Sequence, residues 1–236
     1  DYKNILAMLD IIIECTSNHK NLKLREISSE CLSEYIKWFI KQNIDLKSIK
    51  DKLHTLKYLI RKFESNALHP DSFKRFGAIL CFEKILVHII GNKYLADKFL
   101  LEIFYYIIST IKMCHTNLDM NEFIFKHGVN SVNIVIKGIV KNFDILVKKN
   151  YKRSHFTSLK EILDHLYKVI LSNDIEANYI VHQSYLSIFK LISRNAKKEE
   201  NLEKFWSKEN NWPKLKMEYL VDDNNNIYYF YQEISE

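Results

Sequence analysis

Nine histidines, four cysteines and 29 acidic side chains are spread along this 236-residue chain, and the first question is whether any stand close enough to act together. The cysteines, at 15, 31, 81 and 114, are 16, 50 and 33 positions apart. No CxxC pair exists, which excludes zinc ribbons and dithiol redox motifs and leaves small buried hydrophobes in a reducing compartment as the reading. Cys114, His115 and His127 make the one loose cluster. Twelve positions separate the two histidines and no fourth ligand follows, so no metal is expected. HExxH and GxSxG do not occur, and Gly77, Gly91, Gly128 and Gly138 are each isolated, so no loop can cradle a phosphate. The Gly-rich loop, HRD and DFG elements of a protein kinase are absent from the whole chain. Acid pairs at Glu199–Glu200 and Asp222–Asp223 fall in polar turns, where solvation accounts for them. The residues predict no catalytic constellation and no cofactor.

One charge cluster could bind rather than react. Lys148, Lys149, Lys152 and Arg153 surround Tyr151, and four cations beside an aromatic ring suit a phosphate backbone. The same lysines also suit the end of the preceding helix, whose last carbonyls attract positive charge. The formal net charge of +6 adds little, because Lys outnumbers Arg 30 to 5, the pattern of an AT-rich genome. Lys74 and Arg75 sit early in a helix beside its apolar face, where a long cation is expected to span to a neighbouring helix's acid or carbonyls.

The elements that position these groups are helices. Four Gly and two Pro in 236 residues cannot supply the turns of a sandwich, barrel or doubly wound sheet. Leu46, Ile49, Leu53, Leu56, Ile60, Phe63 and Ala67 alternate at spacings of three and four, as do Phe125, Val129, Val132, Ile136, Ile139, Phe143 and Leu146. Leu159, Ile162, Leu166 and Val169 begin another stripe behind a capping box from Ser158 to Glu161. The pattern predicts helices near 2–16, 22–42, 45–67, 70–90, 93–115, 119–149, 156–172 and 176–196, with a short one near 199–208. Pro70, Asp71 and Ser72 suit a first helical turn. Paired consecutively, 45–90 and 93–149 form hairpins stepping by about 48 residues, close to the ~40–47 of HEAT and armadillo units. Helix 70–90 is apolar nearly all round and belongs between neighbours. The expected fold is all-α, a HEAT-like α-solenoid over 1–210, with a tail at 211–236 that is either a short hairpin or disordered. A helical bundle would share the periodicity; the helix lengths favour the solenoid. Phe99–Ile111 is the longest apolar stretch, but it spans 13 residues and contains Glu102. A bilayer crossing needs about 20, so it reads as a core helix. The chain begins at Asp1 inside helical pattern, and a piece of a longer protein is expected.

Two blocks extend this reading. Arg25–Gln42 (REISSECLSEYIKWFIKQ) and Leu68–Ile85 (LHPDSFKRFGAILCFEKI) resemble, in order and spacing, the middle HEAT region of the DNA-dependent protein kinase catalytic subunit family. His182–Trp206 is similar more loosely. The block carrying most of the resemblance, His69, Pro70, Phe73, Lys74, Arg75, Gly77, Ala78 and Phe82, makes structural sense: Gly77-Ala78 removes bulk where another helix approaches, and the phenylalanines fill the core around it. The linker ahead of helix 156–172 is shorter than the family pattern. The resemblance implies a parent that is a nuclear serine/threonine kinase acting with Ku at double-stranded DNA ends in non-homologous end joining. This chain would be a scaffold segment of it, flanked by further HEAT repeats, with no activity of its own and no membrane association. The alternative is a HEAT-type adaptor or transport scaffold holding a protein partner in its concave groove.

Overall fold

Breaks in the hydrophobic pattern become helix ends. The computed structural model describes residues 2–42, 46–114, 119–153, 156–171 and 181. They form α1 (Tyr2–Thr16), α2 (Leu22–Gln42), α3 (Leu46–Ala67), α4 (Ser72–Gly91), α5 (Lys93–Lys112), α6 (Asp119–Lys141), α7 (Phe143–Leu146) and α8 (Leu159–Leu171). The helices expected near 176–196 and 199–208, the tail at 211–236 and the His182–Trp206 block lie outside the described residues.

Glycine and proline being scarce, short polar side chains start the helices. Asn21 Oδ1 accepts from Leu24 N at 3.0 Å, Asn92 Oδ1 from Tyr94 N and Leu95 N at 3.0 and 3.2 Å, and Asp71 Oδ1 from Phe73 N at 2.9 Å. Each satisfies a first-turn amide that the helix itself leaves open. Asp71, with extended backbone, is therefore the cap of α4, and Pro70 stands one residue outside the helix rather than in its first turn. At α8 the acceptor is Glu161, as expected, but it takes the Thr157 amide and hydroxyl, both at 2.6 Å, instead of pairing with Ser158.

Consecutive helices pair as α1/α2, α3/α4 and α5/α6, and these hairpins stack so that α1, α3 and α5 line one layer and α2, α4 and α6 the other. The fold is an all-α solenoid of helical repeats, with α3/α4 as the central pair. α4 packs against α2, α3, α5 and α6, which explains its run of buried residues from Arg75 to Phe82. Polar ties between successive repeats repeat the step seen in the sequence: Tyr58 to Asp10 spans 48 positions, Lys84 to Glu30 spans 54, and Asn142 to Ile90 spans 52.

The stripe read on α3 is buried at Leu53, Leu56, Ile60, Phe63 and Ala67. The stripe read on α6 is buried at Val132 and Ile139, and at Leu146 of α7, while Phe125, Val129, Ile136 and Phe143 are only half-buried; Ile124, Gly128, Ser131, Val135, Gly138 and Asn142 extend the buried face to one side. The reason is close approach: a Cβ on Gly128 would stand 2.8 Å from Ile111 Cγ1, and one on Gly138 would collide with Ile90. Asn142 also interrupts the long helix expected over 119–149. Its amide Nδ2 donates to Gly138 O at 2.9 Å and Ile90 O at 3.2 Å, and α7 is a single turn beyond it.

Gly77 meets the end of α1 in the same way: a Cβ there would lie 2.6 Å from the Thr16 carbonyl oxygen. Backbone cannot swing aside as a side chain can. Gly77→Ala should cost about 1–3 kcal/mol by overpacking, whereas Gly91→Ala, with nothing within 4 Å, should not destabilise; urea melts of the two variants check this.

Candidate functional site

The basic loop between α7 and α8 divides into two halves of opposite fate. Lys148, Lys149 and Lys152 are exposed, Tyr151 is 77% exposed, and Lys149 Nζ lies 5.1 Å from the Tyr151 ring centroid. Arg153 is 5% exposed and turned inward. Its Nε donates to Asp97 O at 2.9 Å and Asp97 Oδ1 at 3.1 Å, Nη1 to Lys148 O at 3.0 Å and to Thr157 O, and Nη2 to Ile145 O at 2.8 Å and to Asp97 Oδ1. Every nitrogen of the guanidinium has an acceptor inside the fold. The expectation that Arg153 contacts phosphate is thereby corrected: its planar fork closes the carbonyls left open by the one-turn α7 and anchors the loop to α5. Asn150 Nδ2 adds a bond to Asp97 Oδ2 at 2.7 Å. The surface cluster reduces to the three lysines.

The block that carries the family resemblance builds a joint. Asp71 N donates to His69 Nδ1 at 3.0 Å, and Arg75, buried, donates from Nη1 to His69 O at 2.9 Å and Pro70 O at 2.6 Å. Arg75 thus closes its own turn, where a span to a neighbouring helix was expected. Arg25 of α2 donates to Asn18 O and lies 5.4 and 5.3 Å from the Phe73 and Phe76 centroids, while His19 stacks on Phe73 at 4.3 Å. Phe82 meets Phe63 edge-on at 6.1 Å, Ala78 is buried, and Lys74 is half-buried beside them. These contacts fix the angle between the first two repeats and expose no reactive group. Of the loose Cys114, His115 and His127 cluster, His115 lies outside the described residues. Cys114 Sγ donates to Thr110 O, and His127 Nδ1 is 2.5 Å from Glu83 Oε2. No group of three or more potential ligands is found among the described residues. Cys81 and Cys114 are buried as expected of small hydrophobes, but Cys31 is exposed and Cys15 half-buried. Burial pushes the Cys81 thiol up to about 12, so it stays protonated.

A second feature went unread in the sequence. Between α3 and α5 lies a cleft of about 340 Å³, with Lys57, Arg61 and Glu64 on one wall, Lys98 and Glu102 on the other and Lys152 at its mouth. Glu64 is 7% exposed and its Oε1 has no hydrogen-bond partner. Burial first, and then the Glu102 charge, raise its carboxyl to about 7. The same two causes act on the neighbouring Tyr106, pushed up to about 12 by burial and by the Glu64 and Glu102 charges. Lys57, Arg61 and Glu64 fall between the apolar positions of the α3 stripe, where nothing local marks them. The available signal was Glu102, one acid inside a 13-residue apolar run. Because the folded chain holds a proton on Glu64 that the unfolded chain releases, this site's stability is full below about 4.5, declines as pH rises, and is lost above about 7. Glu64→Gln should match the parent chain at pH 4 and exceed it by about 2–3 kcal/mol at pH 8, read from denaturant melts at both values.

No described helix is long and apolar enough to cross a membrane. A family model described as DNA-dependent protein kinase catalytic subunit, CC1/2, matches residues 1–176. Among curated relatives, the DNA-dependent protein kinase catalytic subunit of Canis lupus familiaris is 30% identical over 115 residues, 49% of this chain and 3% of that protein. The Gallus gallus protein of the same name is 29% identical over 115 residues, again 49% and 3%, and that of Dictyostelium discoideum 27% over 108 residues, 46% and 2%. The chain therefore spans only a few per cent of the length of these relatives. A family match over three-quarters of the residues, on a solenoid whose central joint is the resembling block itself, shows that this chain belongs to the DNA-dependent protein kinase catalytic subunit family, in the region described as CC1/2.

Proposed function

We propose that this segment is a non-catalytic stretch of helical scaffold in a DNA-dependent protein kinase catalytic subunit-like protein of the nucleus, serving double-strand break repair by non-homologous end joining. The family match over residues 1–176 carries the reading. The polar chemistry of the described residues supports it, since Arg25, Arg75 and Arg153 are all buried in holding helices together. The kinase module, Ku and the DNA ends belong to the parent protein, and further helical repeats stack against the ends of this one.

Within that scaffold, Lys148, Lys149 and Lys152 are the groups that face phosphates. Flexible ammonium groups neutralise charge without reading bases. Binding of a short duplex to this chain should therefore be weak, indifferent to sequence and salt-dependent, with a slope of log K on log salt near about −2.7 for three contacts at about −0.9 each. Replacing the three by Glu should abolish binding, while the same change at Lys126, Lys137 and Lys141 of α6 should reduce it only partly; fluorescence anisotropy at two salt concentrations reads both. Equal losses would remove the loop from the DNA path. In cells, the loop variant of the parent should lower end joining at unchanged protein abundance. Unimpaired joining, with a protein partner captured instead, would move the segment to the adaptor class.

A further inference from the structure

The cleft between α3 and α5 holds an arrangement that the scaffold role does not use. Glu64 is more than nine-tenths buried, its Oε1 has no partner, and it lines an open space of about 340 Å³. A buried carboxylate oxygen left without a donor costs about 1–3 kcal/mol or more, and the fold bears that cost at a concave site. The walls are also ordered by sign. On α3, Lys57 precedes Glu64 by seven residues, a rise of about 10 Å, with Arg61 between them. On α5, Lys98 precedes Glu102 by four residues, about 6 Å. Because α3 and α5 occupy the same layer of the solenoid, both cations lie toward one end of the cleft and both acids toward the other. Lys152 adds a further cation at the mouth, where Lys98 Nζ donates to its carbonyl at 2.7 Å.

We infer that the α3–α5 cleft binds a peptide segment bearing a single phosphoserine or phosphothreonine followed by a basic residue. The phosphate dianion is taken by Lys57, Arg61, Lys98 and Lys152, through charge-assisted hydrogen bonds stronger than neutral ones. The basic side chain that follows pairs with the Glu64 carboxylate, beside Glu102. The segregation of sign speaks against an extended polyanion. A nucleic-acid strand that seats one phosphate among the lysines carries the next toward two carboxylates. The volume lies at the lower end of ligand pockets, about 300–1,000 Å³, and holds one phosphorylated residue and the head of its neighbour. Arg61 from α3 and Glu102 and Tyr106 from α5 face Glu64, and Lys57, Lys98 and Lys152 are the other charged groups of the cleft. An arriving cation favours the ionised form of Glu64, so binding releases its proton and tightens as pH rises through about 7.

The test is fluorescence anisotropy of the 236-residue chain with a labelled peptide containing phosphoserine followed by lysine, run with three competitors: its unphosphorylated twin, a twin with alanine for that lysine, and inorganic phosphate. The expected result is binding of the phosphopeptide, at least about tenfold weaker binding of either twin, and weak competition by phosphate alone. Lys57→Gln with Arg61→Gln, both away from the loop proposed to meet DNA, should lose at least about tenfold in peptide affinity while leaving duplex binding unchanged. Glu64→Gln should remove the tightening between pH 6.5 and 8 that the parent chain shows, leaving only the rise from the phosphate's own ionisation near about 6. Circular dichroism confirms that each variant is folded. Equal binding of phosphorylated and unphosphorylated peptides, or full affinity in the folded double variant, would overturn the inference. Loss of duplex binding with the phosphopeptide site intact would instead count against the DNA-facing loop alone.

Discussion

Phe76→Ala should lower the stability of this chain by about 3–5 kcal/mol, the range for emptying a buried aromatic site. The ring is 1% exposed and sits where three repeats meet. Arg25 of α2 lies 5.3 Å from its centroid, and Phe123 and His127 of α6 lie 6.0 and 5.6 Å away. Helices on both sides are pinned by their own contacts, so the hole cannot close by collapse, and Arg25 loses one of its two aromatic faces over a largely desolvated charge. Phe73→Ala, on the half-buried neighbour, should cost clearly less. Urea melts of both variants decide the matter: if Phe76→Ala unfolds at the parent midpoint, α4 is not the inner helix of the stack.

The second large effect is expected from a residue that reads like surface charge. Arg153→Ala should destabilise the chain by about 3–5 kcal/mol, the range for breaking a buried ion pair, because it strips donors from Asp97 and from the carbonyls of Ile145, Lys148 and Thr157 at once. Lys149→Ala, four positions earlier in the same basic run, should stay within about 0.5 kcal/mol, as exposed substitutions do. Amide exchange localises the difference. The amides of Asn150 and Arg153, which donate to Thr157 O and Asn150 O, should lose protection in Arg153→Ala, and the Asn150 amide should keep it in Lys149→Ala. Equal effects of the two substitutions would return Arg153 to the solvated loop.

Where the core is made of large apolar side chains, the sequence was a sufficient guide. Leu53 to Ala67 on α3 and Leu159 to Val169 on α8 repeat at helical spacing and are buried accordingly. The reading slipped where the packing surface carries few atoms. On α6 the stripe held at Val132 and Ile139, but the buried face also takes in Gly128, Ser131 and Gly138, residues with no hydrophobic weight, and Phe125, Val129 and Ile136 stand at its half-buried edge. Charge misled for a related reason. Arg153 and the lysines beside it are alike in one dimension, and only the position of Asp97, 56 residues earlier, separates the buried member from the exposed ones. The cleft was invisible because its two walls come from α3 and α5, helices of different repeats, and no local pattern records that Glu64 and Glu102 converge.

Two helix ends in this solenoid, those of α3 and α4, are finished by residues of the following repeat. The carbonyl of Ala67, at the close of α3, is met by the Thr110 hydroxyl at 3.0 Å, 43 positions on, and the carbonyl of Ile90, in the last turn of α4, by the Asn142 amide at 3.2 Å, 52 positions on. A hairpin emerging from the ribosome therefore has its last carbonyls in water until its successor has been made and docked. Translation should close each unit one unit late, so that a stalled nascent chain always ends in a repeat with loose tips, while the repeats behind it are sealed. The molecule has a polarity of assembly that its nearly uniform helices conceal: a break introduced between two hairpins should loosen the upstream one at its tips, and the downstream one hardly at all.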